Sequence, residues 1–345
     1  MVEAAVEDPG APQATASASR WRTLLRWGIH LLLLAAGASL LWLAVRHADL
    51  AAVREDLAKI HPAAIGLAFL AYLAAWALRV WRLHFLAAAA ATRLTLPQAA
   101  ATALGANALN IIAPARLGDV SAFVHLRERT GKGPESAAAI LTWRLTDLGA
   151  LLTVALLAGL PVLAFVPLAA GTQLLWTMAA GGGFLALAAV GVWVARDQRS
   201  RALLERLGRR LLGARAPTGA AFGRATALLW GGRVFSMGLV MAIGAWLADA
   251  VFAGLILHAL WPGDPLVVLV PMVLANAAKT LPTTPGAIGV YEVVFALALQ
   301  QYGVDAATAL TAGIATHFLL NAWTLLLGLP GAIAIGRSVS RSATR

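Results

Sequence analysis

The chain has 345 residues, of which 60% are hydrophobic and only 12% are charged. Soluble domains carry about a quarter charged residues, so this composition excludes an ordinary soluble fold and indicates an all-α polytopic membrane protein. The net charge of +11 does not indicate a nucleic-acid partner, because the basic residues lie mainly between apolar runs. Cysteine is absent, which excludes disulfides and thiolate metal sites, and we expect neither a cofactor nor a metal.

The apolar runs predict about six full spans within one transmembrane domain at residues 20–337. Residues 1–19 lack the basic start of a secretory signal and are predicted to form a disordered tail, and residues 338–345 a cytoplasmic tail. The predicted spans cover residues 27–45, 62–78, 136–160, 174–195, 235–260 and 306–333. Two further apolar segments, 96–113 with its continuation and 266–301, contain breaks, so we predict two re-entrant broken-helix pairs.

Basic residues orient these spans. Three arginines precede the first span, the segment 196–232 begins with the most basic loop of the chain, and further arginines follow the last span. Positive loops face the cytoplasm, so both termini are predicted to be cytoplasmic, in a bacterial inner membrane. Arg79 and Arg82, directly after the second predicted span, are expected to extend to the inner surface.

Both breaks place charged residues next to prolines and glycines. Helical backbone interrupted at membrane depth is tolerated only where it lines a wet cavity or is buried in protein, so such breaks indicate a transport site. The first break carries Asn107, Asn110, Pro114, Arg116, Gly118 and Asp119; the second, within residues 276–292, carries Lys279, Pro282, Pro285, Gly286, Gly289 and Glu292. The alternative interpretations are surface charges beside an inner loop at the first break and an ordinary extracellular loop at the second.

The two breaks also belong to an internal repeat. Pro114-Ala-Arg-Leu-Gly118 and Pro285-Gly-Ala-Ile-Gly289 match at an offset of 171 residues, and other short matches recur at nearly the same offset. We predict repeat copies at about 62–161 and 235–330. The charge-derived orientation starts the two copies on opposite sides of the membrane, so the predicted repeat is inverted, as in many secondary transporters.

Several ionisable residues fall inside predicted spans. Arg144 and Asp147 lie three residues apart on one helix face, where they could form a mutual structural pair or bind substrate. His317, with Asn321 four residues later, could be a satisfied core residue or a substrate or coupling residue, and Asp249 is also predicted to lie within a span.

The motifs PARLGD and TWRLTD, followed by LPTTPGAIGVYE and a last span ending in GLP, resemble the lysylphosphatidylglycerol synthase transmembrane region, also called the flippase-like domain. The resemblance implies a membrane protein that moves lipids or lipid-linked molecules between leaflets. It also implies a set of characteristic residues: Pro114, Arg116, Gly118, Asp119, Arg144, Asp147, Pro285, Gly286, Gly289 and Glu292. Members that are synthases add an aminoacyl-transferase domain, so synthase activity is not expected here. The family commonly has paired glycines where this chain has Gly286-Ala287, and often an arginine near Thr316-His317.

The sequence is therefore compatible with three functions. The favoured one is a lipid translocator that is not an enzyme, whose partner is a membrane lipid with an anionic or zwitterionic headgroup. The alternative is a non-transporting accessory of a lipid or cell-envelope synthesis complex, with a lipid-synthesis protein as partner. A membrane-embedded enzyme acting on a headgroup is the third, although the sequence offers no set of nucleophile and base.

Overall fold

The computed structural model describes residues 50–113, 117–165, 216–279 and 285–343, with four isolated positions before Leu50. The regular structure in these ranges is entirely helical. The ten helices are α1 (Leu50–Lys59), α2 (Pro62–Ala89), α3 (Leu96–Ile112), α4 (Leu117–Thr130), α5 (Gly133–Phe165), α6 (Ala216–Leu229), α7 (Gly232–Leu260), α8 (Leu269–Ala278), α9 (Val290–Gln300) and α10 (Ala306–Ala343). Short 3-10 turns at Pro265–Val268 and Pro285–Ala287 precede α8 and α9.

Four of these helices are long and apolar enough to cross a membrane: α2, α5 up to Ala158, α7, and α10 up to Ser340. They correspond to four of the six predicted spans and make the chain a multi-pass membrane protein. The predicted span 174–195, the N-terminal tail and the basic stretch 196–215 lie outside the described residues, and so does the predicted span 27–45 apart from isolated positions. Helix α5 continues through Pro161 to Phe165, past residue 160, where the predicted span ends.

Local sequence explains where the helices begin. The His61 ring accepts a hydrogen bond from the Ala63 amide and Pro62 occupies the first turn of α2, where a missing N–H costs nothing. Thr95 and Gln98 form a capping box at the start of α3. Asp264 accepts from the Leu266 amide before the turn that leads to α8.

The same order of elements occurs twice along the chain. A long helix, a pair of short helices separated by a break, and a second long helix appear as α2, α3–α4 and α5, and again as α7, α8–α9 and α10. In each series one glycine in the left-handed region, Gly131 (φ 67°) or Gly303 (φ 79°), lies in the turn before the final long helix. The short helices are not among the candidate spans.

The second break has a backbone that explains its composition. Gly286 (φ 63°) and Gly289 (φ 89°) adopt conformations that favour glycine. Ala287 lies between them at φ 57°, in the same left-handed region, where a Cβ is crowded. The turn is therefore formed at the cost of a strained alanine.

The apolar core is divided between the two series. One cluster of buried residues lies mainly on α7–α10 and the other mainly on α2–α6. Helix α2 packs along α7, and α3 packs along α10, so each series contacts the other through a long interface. The space between the two clusters is where the polar residues of both series meet.

Helices α3 and α10 cross through glycines. A Cβ built on Gly331 would lie 2.2 Å from the Ala101 carbonyl oxygen, and one on Gly105 would lie 2.4 Å from the Gly331 carbonyl carbon. Gly328 is equally close to the Leu104 carbonyl oxygen. Small residues allow such close backbone approach between helices in a membrane, and this contact holds the first broken pair against the last span.

Replacing Gly331 by alanine should lower stability by about 1–3 kcal/mol, because the added methyl group meets rigid backbone rather than a side chain. Gly336→Ala on the same helix is the matched control, since no atom lies within 4 Å of its added Cβ. Thermal unfolding of the detergent-purified variants measures the difference. Equal melting temperatures for the two variants would show that the glycine crossing is not a close contact.

Candidate functional site

A polar cavity of about 450 Å³ lies between the two broken pairs, within the size range of small-molecule sites. Helices α2, α3, α4, α5, α7, α8 and α10 all contribute to its wall. Its charged lining residues are Arg79, Arg82, Arg144, Lys279, Asp119, Asp147 and Asp249; Tyr72, Trp76, Trp143, Trp246, Asn107 and Asn276 complete the polar and aromatic lining. Among the described residues, four cations face three anions, so this part of the lining carries one net positive charge.

The ion pair Arg79–Asp249 joins α2 and α7, which pack along each other over a long interface. The guanidinium donates through both terminal nitrogens to the two carboxylate oxygens of Asp249. It lies between two indole rings, 5.5 Å from the ring centre of Trp76 and 5.4 Å from that of Trp246. Two-point ion pairing and flanking aromatic faces both compensate a guanidinium removed from water.

Arg82 is almost completely buried, with 1% of its surface exposed. Its Nη2 donates to Asp147 Oδ1 on α5 at 2.7 Å. The expectation that Arg79 and Arg82 extend to the inner surface is therefore wrong. Helix α2 continues to Ala89, well past the predicted end at residue 78, so both arginines lie within the helix and face α5 and α7.

Arg144 pairs with Asp119 at the start of α4, and the same carboxylate oxygen accepts from Asn110 Nδ2 at 2.8 Å. Arg144 and Asp147 therefore do not form the mutual pair that was one interpretation of their spacing. Each binds a different helix: Arg144 reaches α4 and Asp147 reaches α2. Trp246 further fixes this region by donating its indole N–H to the Asp147 carbonyl at 3.1 Å.

These contacts form a continuous series of three ion pairs across the protein interior. The series runs from α7 to α2, from α2 to α5, and from α5 to α4. A buried ion pair contributes little net stability by itself, but removing one partner leaves an uncompensated charge that is costly. The four helices are therefore constrained to move together wherever these pairs persist.

A second buried cluster holds the second break. Glu292 accepts from the Gly289 amide at 2.8 Å, and its other oxygen lies 2.7 Å from Nδ1 of His317. The His317 ring stacks on Tyr291 with ring centres 4.3 Å apart, and Lys279 Nζ lies 5.1 Å from the Tyr291 ring centre. Glu292 thus caps α9 and attaches it to α10.

The acidic residue after each break is held by a basic residue of the next long helix. Asp119 and Arg144 are 25 residues apart, and so are Glu292 and His317. Arg144 lies eleven residues after the start of α5, and His317 eleven residues after the start of α10. The two broken pairs are therefore attached to the following helix in the same way, with a permanently charged base in one series and an imidazole in the other.

The cavity brings together five of the residues predicted from sequence: Asn107, Asp119, Arg144, Asp147 and Lys279. Asn110 and Gly118 lie beside it, where the Asn110 amide holds Asp119 and where a Cβ on Gly118 would overlap the Ala106 carbonyl oxygen. The predicted residues Gly286, Gly289, Glu292 and His317 belong to the second cluster instead. Pro285 begins the 3-10 turn, and Pro114, Arg116 and Pro282 lie outside the described residues.

Sequence reasoning missed part of the cavity wall. Arg79 and Arg82 were assigned to the surface, and the aromatic residues Trp76, Trp143 and Trp246 were not selected. One signal was available: Arg79 and Arg82 are three residues apart on one helix face, like Arg144 and Asp147. Two in-span carboxylates, Asp147 and Asp249, required cations from another helix, and these two arginines supply them.

A family model described as the lysylphosphatidylglycerol synthase TM region matches residues 27–328. The chain belongs to this family. The resemblance seen in the motifs is thereby confirmed for the membrane region. The lysylphosphatidylglycerol synthase TM region of this chain contains both broken pairs, the cavity and the Glu292–His317 cluster.

The chain is also similar to a glycosyltransferase, AglD, of Haloferax volcanii. The two are 31% identical over 105 residues, which are 29% of this chain and 17% of that protein. The similarity thus covers less than a fifth of the archaeal protein's length.

The Arg79–Asp249 pair gives a test of the ion-pair series. Asp249→Asn leaves a buried guanidinium without its counter-charge and should destabilise the protein by about 3 kcal/mol. Adding Arg79→Gln to that variant removes the uncompensated charge and should recover part of the loss. Thermal unfolding of both single variants and the double variant measures this. A double variant whose loss equals the sum of the single losses would contradict the coupling.

Proposed function

We propose that this protein is a lipid translocator of the bacterial inner membrane. The observation that carries the proposal is the charged cavity between two broken-helix pairs in a multi-pass membrane protein. In this mechanism a lipid headgroup enters the cavity while its acyl chains remain in the bilayer. The headgroup is anionic or zwitterionic, because the described lining carries charges of both signs with one cation in excess.

The free-energy cost of placing charges in a membrane favours a hydrated cavity with a function over a purely structural cluster. Each charged residue at the bilayer centre costs about 2.5–3.5 kcal/mol on insertion scales, so seven such residues are retained only where protein or water compensates them. Ion pairs compensate the charges of Arg79, Asp249, Arg82, Asp147, Arg144 and Asp119. Apolar residues would pack the same helices at lower cost, which favours a role in binding over a role in stability.

We further propose that the two series of elements form an inverted repeat. The recurring order of helices, the left-handed glycines and the equal spacing of Asp119–Arg144 and Glu292–His317 support it. In this arrangement the broken pairs enter the membrane from opposite sides, both termini are cytoplasmic, and six spans enclose the cavity. Each acid–base contact then holds one broken pair closed, and exposing the cavity to one side requires its contact to open.

Translocation by the purified protein tests this function. Fluorescent phosphatidylglycerol in proteoliposomes should become accessible to a membrane-impermeant quencher from the opposite leaflet. Arg144→Gln should slow this by at least about tenfold, because a cavity cation and the contact with Asp119 are lost while Asn110 still holds Asp119. Arg129→Gln is the matched control, since Arg129 is exposed on α4 and does not line the cavity. Wild-type rates in Arg144→Gln would contradict the proposal.

A second candidate is an accessory role in a lipid or glycan synthesis complex, which the similarity to part of a glycosyltransferase favours. Such a protein would bind the lipid in the same cavity and present it to a partner enzyme. Translocation by the protein alone supports the first function, whereas activity that appears only with a partner supports the second. Chemical conversion of the lipid by the purified protein would instead indicate an enzyme.

A further inference from the structure

Four N–H groups in the cavity wall lack an acceptor among the described residues. They are Nε and Nη1 of Arg82, Nε1 of Trp143 and Nε of Arg144. The other buried polar atoms without a partner belong to residues that do not line the cavity. Among the described residues that line the cavity, every fully buried side-chain atom without a hydrogen-bond partner is therefore a donor.

The three side chains are neighbours. The guanidinium carbon of Arg82 lies 5.7 Å from the Trp143 ring centre, and that of Arg144 lies 4.4 Å from it. Each arginine uses only Nη2 for its carboxylate, Asp147 or Asp119. The Nε–H of each guanidinium is thereby left for another acceptor, and both guanidinium groups lie close to the Trp143 ring.

The burial of these donors indicates that bulk water does not satisfy them. Arg82 is 1% exposed and Trp143 is 3% exposed, so water does not surround them as it would at a surface. An unsatisfied buried donor costs about 1–3 kcal/mol, and more when it is charged. Guanidinium and indole groups donate and never accept, so the group that satisfies them must be an acceptor. A cation would meet carboxylates that are already engaged in ion pairs.

We propose that Arg82, Trp143 and Arg144 form a subsite for the phosphate group of a phosphodiester. The arginine fork matches phosphate oxygens, and the indole supplies a third, neutral donor. The single net positive charge of the cavity suits the single negative charge of a phosphodiester better than the higher charge of a diphosphate. This subsite deepens the proposed function, on which it rests for the presence of a lipid in the cavity.

Trp143→Phe is the most selective test, because it removes one unmatched donor, keeps an aromatic ring between the arginines and breaks no hydrogen bond within the described protein. The dissociation constant for dioleoylphosphatidylglycerol is measured by thermal shift in neutral detergent. We expect about tenfold weaker binding in Trp143→Phe, as for loss of one hydrogen bond to a charged group. Trp230→Phe is the matched control: its indole donates to Thr142 outside the cavity, and lipid affinity should not change.

Arg82→Lys provides a second variant that keeps the charge facing Asp147 but removes Nε and Nη1. It should weaken phosphatidylglycerol binding at least as much as Trp143→Phe. Dioleoylglycerol lacks the phosphate, so the wild-type protein and both variants should bind it with the same affinity.

Inorganic phosphate distinguishes the source of the group. Phosphatidylglycerol binding that inorganic phosphate does not displace assigns the subsite to a lipid, and binding of inorganic phosphate with no binding of the lipid assigns it to a soluble anion. Either result, if sensitive to Trp143→Phe, supports a phosphate subsite. Equal affinities of the wild-type protein and Trp143→Phe for both probes overturn it.

The binding test of the phosphate subsite and the translocation test of the proposed function can fail independently. Binding is measured in detergent, where no leaflets exist. A protein that binds phosphatidylglycerol through Trp143 but does not translocate it overturns the translocator proposal alone. A protein that translocates, with unchanged affinity in Trp143→Phe, overturns the subsite alone.

Discussion

Compensation of charge inside the membrane is the constraint on which this structure depends. Seven charged side chains of the described residues line one cavity, and the ion pairs Arg79–Asp249, Arg82–Asp147 and Arg144–Asp119 connect α7, α2, α5 and α4 in series. Removing any single member would leave its partner uncompensated in a poorly solvated interior. The helices that carry these residues are therefore fixed relative to one another by electrostatics as well as by apolar packing.

The broken helices follow from the same constraint. Backbone without helical hydrogen bonds needs polar surroundings. Of the described residues that flank the two breaks, Asp119 and Lys279 line the charged cavity. Asp119 and Glu292 begin the helices after the breaks, and each is held by a base 25 residues later in the chain. The difference between these contacts lies in the base: Arg144 is always charged, whereas His317 can exist in a neutral form. The two halves of the protein are thus built alike but need not respond alike to pH.

The sequence predicted the membrane class, four of the spans, both breaks and five cavity residues, because in-span charges and clusters of proline and glycine are visible without a structure. It did not predict the pairing of those charges. Arg144 and Asp147 share a helix face, yet each binds another helix, and helix-to-helix contacts cannot be deduced from spacing within one helix. Arg79 and Arg82 were placed at the surface because the apolar run ends before them, although α2 continues for a further eleven residues. The roles of Pro114, Arg116 and Pro282 stay predictions.

A headgroup can enter the cavity only if water reaches the space between the two broken pairs at membrane depth. The chain contains no cysteine, so a single cysteine can be introduced without altering another. Asn107→Cys in the cavity should react with a membrane-impermeant thiol reagent in sealed vesicles, whereas Leu247→Cys, exposed on α7 away from the cavity, should not. Labelling of Asn107→Cys in vesicles of both orientations is the result predicted for a translocator. Failure of Asn107→Cys to react from either side would contradict the account.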